Sequence, residues 1–240
     1  MKVAAYQAPL LPSGSTHHAL TLIRHRITCC ESEGIDILCC PEAILGGLAD
    51  DAPRPGDIAL TVQNGELAVA LAPLASETVT TIVGFTERAG DALYNAAAIL
   101  HKGDITGVYR KRHPAIRRSI YCAGTESPVF TIGGVTFGIL ICNDSNFPED
   151  GLALGSQGAA ALFIPSNNGL PLEKADVVAD ARTIDVRLAT ESRVFVIRAD
   201  VAGRADDRVS YGSTAITGPD GAVRAAAARL VEDLIVADLS

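Results

Sequence analysis

The chain has 240 residues, 48% of them apolar and 20% charged, with a net charge of −8. This is long enough to bury a substantial core and lies within the range of one α/β domain, so a single domain over residues 1–240 is expected. The basic residues are scattered, which leaves no electrostatic footprint for a nucleic acid or an anionic membrane. The opening MKVAAYQAPLLPSG reaches Gln7 and Pro9 too soon for a signal-peptide core. No apolar run approaches the ~20 residues that span a bilayer, so the expected location is cytoplasmic.

In chain order, short apolar, β-branched runs alternate with longer helical patterns, which indicates a layered α/β protein. Strands are predicted at Lys2 to Gln7, Ile35 to Cys40, Val79 to Phe85, Tyr94 to Leu100, Ile105 to Arg110, Val135 to Cys142, Ala159 to Ile164, Val194 to Ala199 and Ser213 to Thr217. A helix is predicted from Thr16 to Glu33, where Leu20, Ile23, Ile27 and Cys30 recur at three- or four-residue intervals. A second runs from Leu172 to Glu191, with Val177, Ala181, Ile184 and Leu188 as a stripe read as core. Pro148 suits the first turn of a helix after Cys142. Gly-Pro-Asp-Gly at 218–221 is hairpin chemistry. GIDILCCPE and GAAALFIPSN share the order glycine, apolar strand, proline, polar residue, a weak hint of two similar halves.

Cysteines stand at positions 29, 30, 39, 40, 122 and 142. Two adjacent pairs make a poor disulfide framework, so reduced thiols are expected. No Cys-x-x-Cys pair occurs, and His17 and His18 are neighbours rather than a helical i, i+4 pair, so no metal site is expected. The cysteines at 29, 30, 39 and 40 read as packing residues in apolar segments.

Ligands in open α/β sheets gather at the carboxyl ends of strands. Three such ends carry reactive groups: Glu42 after the strand ending at Cys40, Lys111 after Arg110, and Cys142 followed by Asn143 and Asp144. If the strands run the same way, these ends converge. A thiol is a poor nucleophile until it is deprotonated. Glu42 can accept that proton as general base, and Lys111 can offset charge on a tetrahedral intermediate. The backbone N–H of Asn143 is a candidate second oxyanion donor if Cys142 sits on a sharp turn. Each residue alone has a plainer reading: a buried cysteine, a helix-start carboxylate, and one cation of the run Tyr-Arg-Lys-Arg-His. Their joint occurrence carries the catalytic reading.

That joint pattern resembles the nitrilase superfamily of carbon–nitrogen hydrolases over nearly the whole chain. VAAYQAP resembles the first strand, PEAILGG the glutamate segment and LYNAAAIL the strand before the lysine. VYRKRH resembles the lysine segment, and GILICNDSNFPE followed by QGAAALFIPSN the cysteine elbow. The resemblance implies an α/β, four-layer αββα sandwich and a triad of Glu42, Lys111 and Cys142. It also implies a homodimer or higher homo-oligomer joined near the cysteine helix, no cofactor, and a small amide or carbamoyl substrate cleaved through a thioester. A second glutamate common in the family is replaced by the stretch Ile116-Arg117-Arg118-Ser119. Cys-Asn-Asp resembles the N-carbamoyl-D-amino-acid hydrolases, but Ser145 and Asn146 stand where those enzymes place arginines. Arg117, Arg118 and Asn146 are therefore the candidate substrate-binding residues, the arginines being suited to a carboxylate. An N-acyl transferase and a catalytically impaired binding protein are the alternatives.

Overall fold

The computed structural model describes residues 1–115 and 119–239. From the N-terminus come β1 (Lys2–Pro9), α1 (Thr16–Glu33), β2 (Ile37–Cys39), α2 (Glu66–Leu71), β3 (Thr80–Ala89), β4 (Ala92–His101) and β5 (Asp104–Arg110). The chain continues through β6 (Val129–Ile132), β7 (Val135–Ile139), α3 (Pro148–Ser156), β8 (Ala161–Pro165), β9 (Leu170–Pro171) and α4 (Val178–Ser192). It closes with β10 (Phe195–Ala199), β11 (Val201–Ala205), β12 (Arg208–Ser210), β13 (Ala215–Thr217), β14 (Val223–Ala226) and β15 (Asp233–Asp238).

The strands form two sheets. One has the order β5-β4-β3-β2-β1-β11-β12-β9, with β15 also paired to β1; the other has the order β14-β13-β10-β8-β7-β6. Alternation of side chains along each strand builds three cores. On β1, Ala4 and Tyr6 face α1 and join Ile23, Ile27 and Cys30, whereas Val3 and Ala5 face the second sheet. Between the sheets, Ile37, Ile82 and Ile99 meet Phe137, Ile139, Phe163 and Ile197. Phe137 and Phe163 pack edge to face, with ring centroids 5.2 Å apart. The far face of the second sheet, through Leu162 and Val196, packs on Leu154 of α3 and Leu188 of α4. The layers are thus helix, sheet, sheet, helix, the expected αββα sandwich. Among the described residues no helix is long and apolar enough to cross a membrane.

Helix α1 spans the predicted residues and stops at Gly34, whose left-handed φ of 65° lets its N–H cap the helix carbonyls. The hairpin at 218–221 joins β13 to β14, closed by Gly218 N–H donating to the carbonyl of Ala222. Among the boundaries that differ from expectation, two bear on the site. Helix α4 begins at Val178 rather than Leu172, because residues 172–174 form a separate 3₁₀ turn and Val177 is non-helical. Strand β7 ends at Ile139, so Cys142 lies beyond the strand, on a 3₁₀ turn over Cys142–Asn146.

Candidate active site

Strands β2 and β3 run parallel, while β4 is antiparallel to both β3 and β5, so β5 points the same way as β2. In the facing sheet β7, β8 and β10 run parallel. The carboxyl ends of β2 and β5 deliver Glu42 and Lys111 to the cavity that Cys142 also lines.

Glu42 is held by a tight local geometry. Gly84 of β3 lies against the loop after β2, and a Cβ there would come 2.4 Å from both the Ala43 nitrogen and the Pro41 oxygen. Ala43 itself takes a φ of 47°, a left-handed conformation that costs a non-glycine residue energy and turns the chain sharply. The Glu42 N–H donates to the carbonyl of Ser166, which joins the ends of β2 and β8 across the two sheets. Its carboxylate is almost fully buried. Oε1 accepts from Lys111 Nζ at 2.5 Å and from Asn95 Nδ2 at 2.8 Å, and Oε2 accepts from the N–H of Asn167 at 3.0 Å.

Lys111 is fixed from both sides of its backbone. Its N–H donates to the carbonyl of Asn95, and its own carbonyl accepts from Gly124 N–H, each at 2.8 Å. A Cβ at Gly124 would fall 2.3 Å from the Arg110 oxygen, so glycine is needed for that approach. Tyr121, three residues earlier, lines the cavity; its hydroxyl accepts from Ala49 N–H and hydrogen-bonds Thr86.

Cys142 has a φ of 46°, the left-handed region that a bulky residue enters only when its surroundings force it. Asp144 is the main support of this elbow. Its Oδ2 accepts from Ile141 N–H and from the Tyr109 hydroxyl, and its Oδ1 from His113 N–H, all within 2.9 Å. Ser145 Oγ donates to the Cys142 carbonyl at 2.7 Å. The N–H of Asn143 belongs to the first turn, where amides have no acceptor within the helix. Asn143 and the exposed Asn146 both line the cavity, and Asn146 Nδ2 donates to Asn143 Oδ1.

The cavity has a volume of about 390 Å³. Asn168 also lines it and stands 3.9 Å from the Cys142 sulfur, oriented by Asp200, which accepts from both its N–H and its Nδ2. Val177, Ala181 and Ile184 line one wall. This corrects the reading of that stripe as core: its N-terminal part faces the cavity and only Leu188 enters the packed layer. Arg117 and Arg118 lie outside the described residues.

Sequence reasoning missed Arg198 and Asp185. Arg198, on β10, is buried and pairs with Asp185 of α4 through Nε and Nη2. It also donates to Ser166 Oγ at 2.8 Å and Ser145 Oγ at 3.1 Å, linking the loops that carry Glu42's partner and the cysteine elbow. A charge inside the apolar run Val194 to Ala199 was the available signal. Asn167, Asn168 and Asp200 follow the strand-end rule that singled out Glu42, applied to β8 and β10.

The electrostatics follow from burial and mutual charge. Burial disfavours the Lys111 ammonium, but the charge of Glu42, its hydrogen bond and the nearby sulfur outweigh this and raise the pKa. Burial pushes the Cys142 thiol up to about 12; Glu42 adds to the rise, while Lys111 and Arg198 oppose it. The resting site therefore carries a neutral thiol at neutral pH. Burial also raises Asp144, against Lys111, Tyr109 and the two backbone donors.

A four-layer αββα sandwich with a thiol on a sharp elbow beside a carboxylate and an ammonium is the architecture of the nitrilase superfamily. The chain belongs to the carbon–nitrogen hydrolase family, whose model matches residues 2–240. It is 33% identical over 246 residues to the "hydrolase in pqqF 5′ region" of Pseudomonas protegens, covering all of this chain and 82% of that one. It is 27% identical to an (R)-stereoselective amidase of a Pseudomonas species, covering 85% of this chain and 73% of that one. An amidase of Nesterenkonia superposes with a TM-score of 0.84 at 18% identity, over 98% of this chain and 89% of that one. In that structure the acetamide moiety of fluoroacetamide is covalently attached to the active-site cysteine.

Proposed function

We propose that this enzyme hydrolyses the C–N bond of a small amide or carbamoyl compound, with Cys142 as nucleophile, Glu42 as general base and Lys111 as electrostatic stabiliser. The observation that carries the proposal is the convergence of these three side chains on one cavity, with Lys111 and Glu42 in direct contact. The amidase among the relatives supports the reaction class.

The cycle starts from the neutral thiol. The Cys142 proton passes to Glu42 as the sulfur attacks the substrate carbonyl carbon, so a free thiolate need not accumulate. The carbonyl π electrons move to oxygen, where the Lys111 ammonium and the Asn143 N–H receive the charge. Collapse breaks the C–N bond, and the leaving nitrogen takes the proton from Glu42. Water then gives a proton to Glu42 while its oxygen attacks the thioester. Collapse of this second intermediate releases the acid and returns the proton to sulfur. The fixed donors on both carboxylate oxygens of Glu42 hold it in one orientation for both halves.

The residues placed to meet the rest of the substrate are Asn143, Asn146 and Asn168, with Val177, Ala181 and Ile184 as an apolar wall. A carbamoyl amino acid remains within the proposed class, its carboxylate being the group that Arg117 and Arg118 would suit. Ammonia release from a panel of small amides, carbamoyl amino acids and nitriles tests the proposal. Turnover is expected on the first two groups and lost in Glu42→Gln with the fold intact. Turnover unchanged in that variant would remove Glu42 from the mechanism.

A further inference from the structure

A second cavity, of about 290 Å³, flanks the first, and the two share Leu48, Asp51, Asn167, Gly169 and Arg208 in their walls. Arg208 projects from β12 across this seam. Its Nη2 donates to Asp51 Oδ1 at 2.6 Å, and its Nη1 donates to the Gly169 carbonyl at 2.8 Å. One guanidinium thus ties the segment beyond Glu42 to the loop beyond β8. We propose that the Arg208–Asp51 ion pair is a partition that sets how long a substrate the active-site cavity admits.

The proposal rests on the amide-hydrolysis reading above and deepens it: the natural substrate is a short amide, whose chain ends at the partition. Three features distinguish a partition from a structural strut. First, the walls on each side have their own supports. Leu10 N–H donates to the Ala202 carbonyl, Asn167 N–H to Glu42, and Gly169 N–H to Asn167 Oδ1. Second, β12 is held by backbone pairing with β11, through Arg204 with Val209 and Ala205 with Arg208, which does not need the guanidinium. Third, the pair is partly open to solvent, with side-chain exposures of 35% and 26%, so screening by water weakens it as a structural bond. Beyond it the second cavity has Leu10, Leu11 and Pro12 as one apolar wall, along which an aliphatic chain from the amide can run, with Ser13, Asp206 and Asp207 lining the remainder.

Two substrate series test this: amides with acyl chains from three to eight carbons, and acetamides with N-alkyl chains of the same lengths. Because either side of the amide can face the seam, both are measured as the ratio of kcat/KM for the longest member to that for the shortest. In wild type this ratio is expected to lie well below one in the series whose chain faces the seam. Arg208→Ala should raise it at least tenfold in one series. Asp51→Ala, which opens the same ion pair from its other side, should raise it in that same series. If both variants melt as folded proteins and the ratio stays within twofold of wild type, the partition is overturned, while turnover of short amides leaves the reaction standing. If wild type turns over no amide of either series, the reaction reading fails, and the partition with it.

Discussion

Asp185→Ala would leave the Arg198 guanidinium charged and buried, without its counter-ion. Arg198 is 2% exposed and Asp185 fully buried, and the carboxylate accepts from both Nε and Nη2. Burial opposes the Arg198 charge and Asp185 restores it, so the pair stands or falls together. Removing one partner of a buried ion pair costs about 3–5 kcal/mol. At about 2–4 °C per kcal/mol for a chain of this size, the melting temperature should fall by roughly 6–20 °C. The double variant Asp185→Leu, Arg198→Met removes both charges and keeps most of the volume, so its stability should stay near wild type, as it does when buried pairs are replaced by apolar residues. Turnover should not recover with it. Ser145 and Ser166 lose their common donor, and a displacement of about 1 Å at the elbow is enough to lower the rate by up to 10²-fold. Calorimetry and amide turnover on the three proteins separate the two effects. A single variant within 1 kcal/mol of wild type, or a double variant with full turnover, would refute the argument.

Gly84→Ala drives a Cβ into backbone atoms of the Glu42 loop that have no rotamer to escape through; a loss of about 1–3 kcal/mol is expected from overpacking, with turnover falling further than stability. Urea titration and ammonia release check it, and an unchanged protein would show that the loop is not held by that contact. Glu42→Gln removes the carboxylate charge that, after burial, does most to raise the Cys142 pKa of about 12. A thiolate forms only as pH rises through that pKa, so the midpoint for alkylation of Cys142 by iodoacetamide should move down in the variant; a midpoint that stays or rises would contradict the charge assignment. Tyr109→Phe takes one donor from the buried Asp144 carboxylate. Ile141 N–H still donates to the same oxygen, so the expected loss is that of one hydrogen bond to a charged group, about 1.5–3 kcal/mol, read from urea unfolding.

The layers were legible because their cause is local. Ile23, Ile27 and Cys30 repeat with the helical period, and Gly34 supplies the stop. The strand-end rule brought out Glu42, Lys111 and Cys142 because each follows an apolar run. Strands β11 and β12 were less legible, since they carry Arg204 and Arg208 and show no long apolar run, whereas β15 has the run Leu234–Ala237 but only four residues of it, bounded by Asp233 and Asp238. The stripe on α4 was read as one face, yet it is shared between packing and cavity, a division set by where α4 ends against the sheet and invisible in its period. Arg198 and Asp185 are 13 residues apart, and nothing local pairs them; only the packing of α4 on β10 does. The positive φ of Cys142 likewise depends on Asp144 meeting Tyr109 and His113 from the other sheet's side.

The central claim is that substrate becomes covalently attached to Cys142. Wild-type protein mixed with a turned-over amide, quenched in acid within one turnover and mapped by peptide mass spectrometry, tests it most directly. The acyl mass should appear on the peptide carrying Cys142 and on none carrying Cys29, Cys30, Cys39, Cys40 or Cys122, and Cys142→Ala should show neither adduct nor turnover. Continued amide hydrolysis by Cys142→Ala would contradict the account.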